Sequence, residues 1–215
     1  MNQTLEERLR ALPEIIAERG IWQNKFHEYD VYEHTIQYVH FLKELTPDIE
    51  MIVAGYLHDI GKPVVRKIKV KEGRIEEKLP GLPYHDFDDH EKVGEDMVRS
   101  MPAEFFSQNA LDQERIAKLV GAHYLPMENI KKMRKTKTYE EFPGQYKQLE
   151  QALDSTGLPR ADVMTMFLAD CLSKGKGCTD IEELKLARTV IINTGNPDLL
   201  KNLYEMQKTM YGVKE

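Results

Sequence analysis

The feature that most constrains the fold is a helical stripe that ends in a polar pair. From Asp48 onward, Ile49, Ile52, Val53, Tyr56 and Leu57 fall at i, i+3, i+4, i+7 and i+8, the spacing of one apolar face on an α-helix. Pro47 precedes the stripe, and Gly61 and Pro63 stop it. His58 and Asp59 therefore sit at the end of a helix whose face must be buried. Free carbonyls there carry the negative end of the helix dipole, a place that welcomes a cation.

The same grammar recurs along the chain. Asp30 and Glu33 form a candidate capping box for a helix through Leu45, with Val31, His34, Tyr38, Phe41 and Leu45 roughly on one face. Asp88 and Glu91 are placed to cap a helix carrying His90, Val93, Met97 and Met101, which Pro102 stops. Ile116, Leu119, Val120 and His123 share a face of a helix that must end before Pro126, and Val163, Met166, Phe167 and Asp170 repeat that spacing ahead of Gly175 and Gly177. Two further helices are expected over 180–193 and 197–210. The exception is VVRKIKVKEGRIEEK, where β-branched residues alternate with charges around Glu72-Gly73, the pattern of a short hairpin. The expected fold is an all-α helical bundle with a small β-hairpin insertion. No repeat or low-complexity linker divides the 215 residues, so residues 1–215 read as one domain with the helices of 180–211 packed on it.

Composition narrows the function classes. Hydrophobic residues at 41% are enough for a core, yet no apolar run is long enough to span a bilayer. The first twenty residues are charged and amphipathic, unlike a signal peptide, so a cytoplasmic protein is expected. Cys171 and Cys178 are too few for a disulfide framework and read as reduced thiols. A net charge of −6 argues against a broad basic surface for DNA and suits small anions or short oligonucleotides. The basic run IKKMRKTK, over 130–137, would overhang the site if His123 is a ligand, but charge runs are usually solvated surface. Arg66, Lys67, Lys69 and Lys71 in the hairpin read as edge protection.

His34, His90, His123 and Asp170 each point polar atoms toward the core from the apolar face of a helix. A single histidine so placed is more often a hydrogen-bonded core residue than a ligand. Four such residues from separate helices are harder to explain that way, and a buried carboxylate needs a cation, a metal or several donors. With His58 and Asp59 they make a candidate metal site, and imidazole with carboxylate suits iron, manganese, cobalt, nickel or zinc better than calcium. His85, Asp86 and Asp89 lie in a loop near His90, close enough for supporting roles, although turn chemistry also accounts for the aspartates. His27 and His40 fall off the apolar stripes and read as surface residues.

The segments DVYEHTIQYV, LHDIGKP, DDHEKVGEDM, VGAHYLP and FLADCLSKG resemble, in that order, the metal-binding motifs of the HD superfamily of metal-dependent phosphohydrolases. The resemblance covers about residues 30–177, and LHDIGKP is its most specific part. It looks most like the HD domain of bacterial CCA-adding tRNA nucleotidyltransferases, without their polymerase domain. The resemblance implies a helical fold in which His34, His58, Asp59 and Asp170 bind one metal, while His90 and His123 hold a second bridged by Asp59. Asp162, in an RAD sequence, competes with Asp170, but it falls in a first helical turn where an acidic residue is expected anyway. Lys62 matches a lysine often assigned to the phosphate, and a solvated lysine at a helix end is the alternative. The implied activity is a phosphohydrolase using divalent metal, two ions from among Fe, Mn, Ni, Co or Zn with Mg also compatible. Its implied substrate is a nucleotide, a 2′,3′-cyclic phosphate, a short RNA end or another small phosphate ester, with Asp59 and Lys62 as the catalytic residues. Two ions about 3.5–4 Å apart suit such chemistry. The same ligands also serve HD-fold di-iron oxygenases, and a non-catalytic nucleotide or RNA sensor is the third reading.

Overall fold

In the computed structural model, which describes residues 3–176, 178, 185 and 199–211, aspartate side chains start three of the helices that carry the core. The chain runs through α1 (Leu5–Arg10), α2 (Pro13–Ile16), α3 (Val31–Leu45), α4 (Ile49–Leu57) and α5 (Lys62–Val65). Six short strands follow, β1 (Lys67–Ile68), β2 (Val70–Lys71), β3 (Arg74–Ile75), β4 (Glu77–Leu79), β5 (Leu82–Pro83) and β6 (His85–Asp86). Then come α6 (His90–Ser100), α7 (Ala103–Ser107), α8 (Gln113–Ala122), α9 (Leu125–Met133), α10 (Phe142–Ser155), α11 (Arg160–Ser173) and α12 (Leu199–Tyr211). Asp30 caps α3 by accepting from the Glu33 amide at 2.8 Å, and Asp48 and Asp112 likewise cap α4 and α8.

Helix α3 packs on α4 and α11, and α4 packs on α8, against which α6 also lies. Their shared core holds Tyr38, Leu42, Val53, Leu57, Ile116, Leu119, Val120, Val163, Met166 and Phe167, all essentially solvent-free. Burying side chains of this size contributes roughly 1.5–3 kcal/mol each. Tyr38 donates its hydroxyl to the Met166 carbonyl at 2.8 Å, tying α3 to α11 by a polar contact in an apolar layer. The α3–α4 crossing is close enough that a Cβ at Gly55 would lie 2.4 Å from Leu42 Cδ1.

The hairpin forms around Glu72 and Gly73, both at positive φ (50° and 74°), as a two-residue turn between paired antiparallel strands demands. It is larger than expected. Pairs β1–β6 and β4–β5 flank it, making a decorated ribbon over 67–86. The Asp88–Glu91 capping box does not form: α6 begins at His90, and its cap residue Asp89 turns the chain in the left-handed conformation without a side-chain cap. Helix α10 was not expected, although Phe142, Tyr146, Leu149 and Leu153 are buried along it. The helix expected over 180–193 lies outside the described residues. Its successor appears as α12, which rests on α10 through Leu203 and Tyr204, the Tyr204 hydroxyl donating to the Lys137 carbonyl at 2.9 Å. No described helix is long and apolar enough to cross a membrane.

Candidate metal centre

Local hydrogen bonds fix how each histidine is presented. The Nδ1 atoms of His58, His90 and His123 lie 2.8, 2.8 and 2.6 Å from the carbonyl oxygens of Gly55, Phe87 and Val120, each three residues back, and His34 Nδ1 lies 3.3 Å from the Ser173 oxygen. A carbonyl can only accept, so Nδ1 carries a proton in all four, and in the neutral ring Nε2 presents a lone pair. For His58 and His123, at the C-caps of α4 and α8, the accepting carbonyls belong to last turns that lack helical donors.

The four Nε2 atoms converge on Asp59. One carboxylate oxygen, Oδ2, lies 3.2 Å from His58 and 3.8 Å from His34, while Oδ1 lies 3.5 Å from His90 and 3.8 Å from His123. Asp170 adds Oδ1 at 3.1 Å from His34 Nε2. The Nε2 atoms of His90 and His123 are 3.3 Å apart. With both Nδ1 positions protonated, that contact is two lone pairs aimed at one point, a repulsive arrangement unless a cation lies between them. His34 Nε2, His58 Nε2 and Asp59 Oδ1 are buried without a hydrogen-bond partner, and such orphaned acceptors suit a cation. Two ligand groups meet at Asp59, His34–His58–Asp59 and Asp59–His90–His123, and a third, His27–His34–Asp170, shares His34 with the first.

Electrostatics agrees with that fit. Burial alone would raise the Asp59 carboxyl, but His58 and Lys62 hold it well below the usual range. Asp170 is likewise held low against burial by His34 and Lys174. Burial lowers His90, to about 3, and it also lowers His123, with Lys62 and His58 adding respectively. An unfolded histidine takes a proton near 6.5, whereas these folded rings resist it. Below that pH the unfolded chain therefore binds more protons, and the metal-free protein is expected to lose stability as pH falls. Its Tm should drop between about pH 7 and about pH 5, and less steeply in His90→Gln; equal slopes would show that His90 does not carry the effect.

Lys62 is 7% exposed rather than solvated. Its ammonium donates to Asp59 Oδ2 and to Gln23 Oε1, both at 2.6 Å. Sequence reasoning missed two neighbours of this pair. Gln23 is buried, and its amide nitrogen lacks a partner. Glu18 is fully buried, and burial, then the charge of Asp59, pushes its carboxyl well above the usual range. Neither lies on a long periodic helix, so no apolar stripe marks them.

A cavity of about 740 Å³ opens over His90, His123 and Asp170, with Phe26, Phe87, Tyr124, Lys62, His85, Lys131, Arg134 and Lys174 on its walls. The basic run 130–137 thus contributes Lys131 and Arg134 to the cavity, while its Ile130 and Met133 are core residues. His85 and Asp86 of β6 and Asp89 all line the cavity, and Asp86 also pairs with Lys69 at 2.9 Å. Asp162 lies elsewhere, taking the Arg115 guanidinium at 2.9 Å. His40 is exposed beside Glu44, as expected. His27 is not a surface residue: it is half-buried, its ring stands edge-on to His34 at 5.2 Å, and burial followed by His34 pushes its pKa well down. Neither Cys171 nor Cys178 is in a disulfide.

Imidazole and carboxylate groups brought from separate helices to one buried centre define a helical protein equipped to hold divalent metal. Comparison with known proteins is specific: the model of the HD domain matches residues 31–172, and the chain belongs to that family. Among curated proteins it is 31% identical over 118 residues to an A-adding tRNA nucleotidyltransferase of Deinococcus radiodurans, covering 54% of this chain and 25% of that protein. It is also 31% identical over 115 residues to a CC-adding tRNA nucleotidyltransferase of Thermus thermophilus, covering 52% and 24%. The chain thus spans about a quarter of the length of these relatives. No solved structure gives a significant match.

Proposed function

We propose that this protein is a metal-dependent phosphohydrolase that cleaves a nucleotide, a 2′,3′-cyclic phosphate or another small phosphate ester. The observation that carries the reading is the convergence of four Nε2 atoms on the two oxygens of Asp59. His34, His58, Asp59 and Asp170 would hold one divalent transition-metal ion, and Asp59, His90 and His123 a second. When bound, the ions supply a hydroxide at neutral pH and neutralise charge on the phosphoryl oxygens. The chain's own residues do the rest. Lys62 holds Asp59 Oδ2 in place and lines the cavity together with Lys131, Arg134 and Lys174, the cations available to a phosphate there, on a wall of mixed charge that also carries Asp86, Asp88, Asp89, Glu91 and Glu128. Phe26, 60% exposed, and the neighbouring Phe87 and Tyr124 offer flat apolar surfaces to a base. Because both relatives bear the name tRNA nucleotidyltransferase, a short RNA end belongs among the candidate substrates.

Protein stripped of metal and reloaded separately with manganese, iron, nickel or cobalt is expected to hydrolyse some member of a panel of phosphomonoesters and phosphodiesters. Silence across the panel, with bound metal demonstrated, would reject the reading. Turnover with a redox-inert ion excludes a di-iron oxygenase, and ligand binding without turnover is the signature of a sensor.

A further inference from the structure

The loop before α3 carries a seventh residue toward the centre. Asn24 Oδ1 accepts the Phe26 amide at 2.9 Å, which identifies it as the oxygen of that side chain, and it lies 3.0 Å from His27 Nδ1. Nδ1 of His27 is therefore the N–H, and Nε2 is left bare, as in the four histidines around Asp59. The backbone repeats the constraint, since the His27 amide donates to the Asn24 carbonyl at 3.1 Å. The loop is pinned to the end of α11: the Glu28 amide donates to the Lys174 carbonyl at 2.9 Å, and a Cβ at Gly175 would lie 2.4 Å from Glu28 Oε2. Its ring is thus held beside the helix that carries Asp170. One ligand-type atom from each of His27, His34 and Asp170 falls within a 4.8 Å span. Opposite ligands of one ion with bonds of about 2.1 Å lie roughly 4.2 Å apart, so sub-ångström closure would bring all three onto a common cation.

We propose that His27 is a further ligand of the first ion, completing a shell of His27, His34, His58, Asp59 and Asp170. This rests on the metal-centre reading above. It makes the two positions unequal: five side chains would hold the first ion and three, Asp59, His90 and His123, the second, with His27 and Asp170 as well as His90 and His123 on the cavity wall. The first ion, with the fuller shell, is then the slower to exchange, and the second has more open positions for water and substrate. Neither a surface histidine nor a core histidine would be so oriented by an asparagine and aimed at two other candidate ligands.

The test is cobalt titration of the metal-free protein, followed by visible absorption and by elemental analysis after dialysis, in wild type, His27→Ala, His27→Gln and the surface variant His40→Ala. Wild type and His40→Ala should fill a tight and a weaker position. Both His27 variants should lose at least about tenfold in affinity at the tight one, with shifted d–d bands; in His27→Ala, added imidazole should restore the bands. His27→Gln keeps the volume and a donor for Asn24, so a defect in both variants is not a packing defect. Wild-type spectra and affinity in both would overturn the role of His27 while leaving the centre intact. Failure of the wild type to bind cobalt would reject the metal centre itself, and His27 with it.

Discussion

Asp59→Ala is expected to emerge from purification without either ion, under conditions in which the wild type retains metal. Asp59 is the one residue whose two oxygens face both ligand groups, at 3.2 and 3.8 Å from His58 and His34 on one side and at 3.5 and 3.8 Å from His90 and His123 on the other. Deleting it removes a ligand from each position at once, whereas any single histidine serves one. The metal-free variant should also be less stable by about 3–5 kcal/mol, because the buried Lys62 ammonium keeps Gln23 as its hydrogen-bond partner and the Phe87 ring but no counter-charge from Asp59 once that carboxylate is gone. Asp59→Asn separates the two effects. It retains an oxygen for Lys62 and most of the packing, so it should recover part of the stability while still failing to hold metal. Elemental analysis and urea denaturation read both quantities. Metal content equal to wild type in Asp59→Ala would remove Asp59 from the centre.

What could be read from the sequence follows the length of the periodic segments. Helices α3, α4, α8 and α11 each carry an apolar stripe long enough to fix which side faces inward, so the inward placement of His34, Asp170 and the helix-end pair His58-Asp59 was legible before any coordinates. The hairpin turn was legible too, because Glu72-Gly73 is local chemistry. The partners of β1 and of β4 were not, since their pairing with β6 and β5 depends on contacts across a polar ribbon whose strands are two or three residues long. His90 was placed correctly on α6 for a partly wrong reason: the Asp88–Glu91 box is absent, and the left-handed turn at Asp89 delivers the ring. His27 was misread because it lies on a loop, where periodicity carries no information. Its position is set by the local contact with Asn24 and by the docking of Glu28 on the end of α11, the second of which joins residues far apart in the chain.

Gly61→Ala tests how the backbone positions the second ligand group. Gly61 has a φ of −74°, which alanine adopts without strain, so the effect of the substitution is steric. A Cβ there would lie 2.1 Å from the His90 carbonyl oxygen, 2.8 Å from the Gly94 nitrogen and 3.0 Å from the His90 carbonyl carbon. All three are backbone atoms, so no side-chain rotation relieves the clash, and the start of α6 must move off the start of α5. Gly94 shows the same intimacy from the other helix, a Cβ there meeting Val120 Cγ1 at 3.1 Å. The loss should reach about 3 kcal/mol, the upper end for an overpacked site. The displacement also draws His90 away from Asp59 Oδ1, now 3.5 Å distant, while His34, His58 and Asp170 lie outside the affected contact. Metal content should accordingly fall from two ions toward one, with activity lost and the tight position still filled. Gly144→Ala is the opposite case: in α10 with nothing within 4 Å of its new methyl, it should gain about 0.4–1 kcal/mol by restricting the unfolded chain. Denaturation midpoints and metal content decide the matter, and a Gly61→Ala protein with the wild-type midpoint and two bound ions would show that the close approach of α5 and α6 does not set the position of His90.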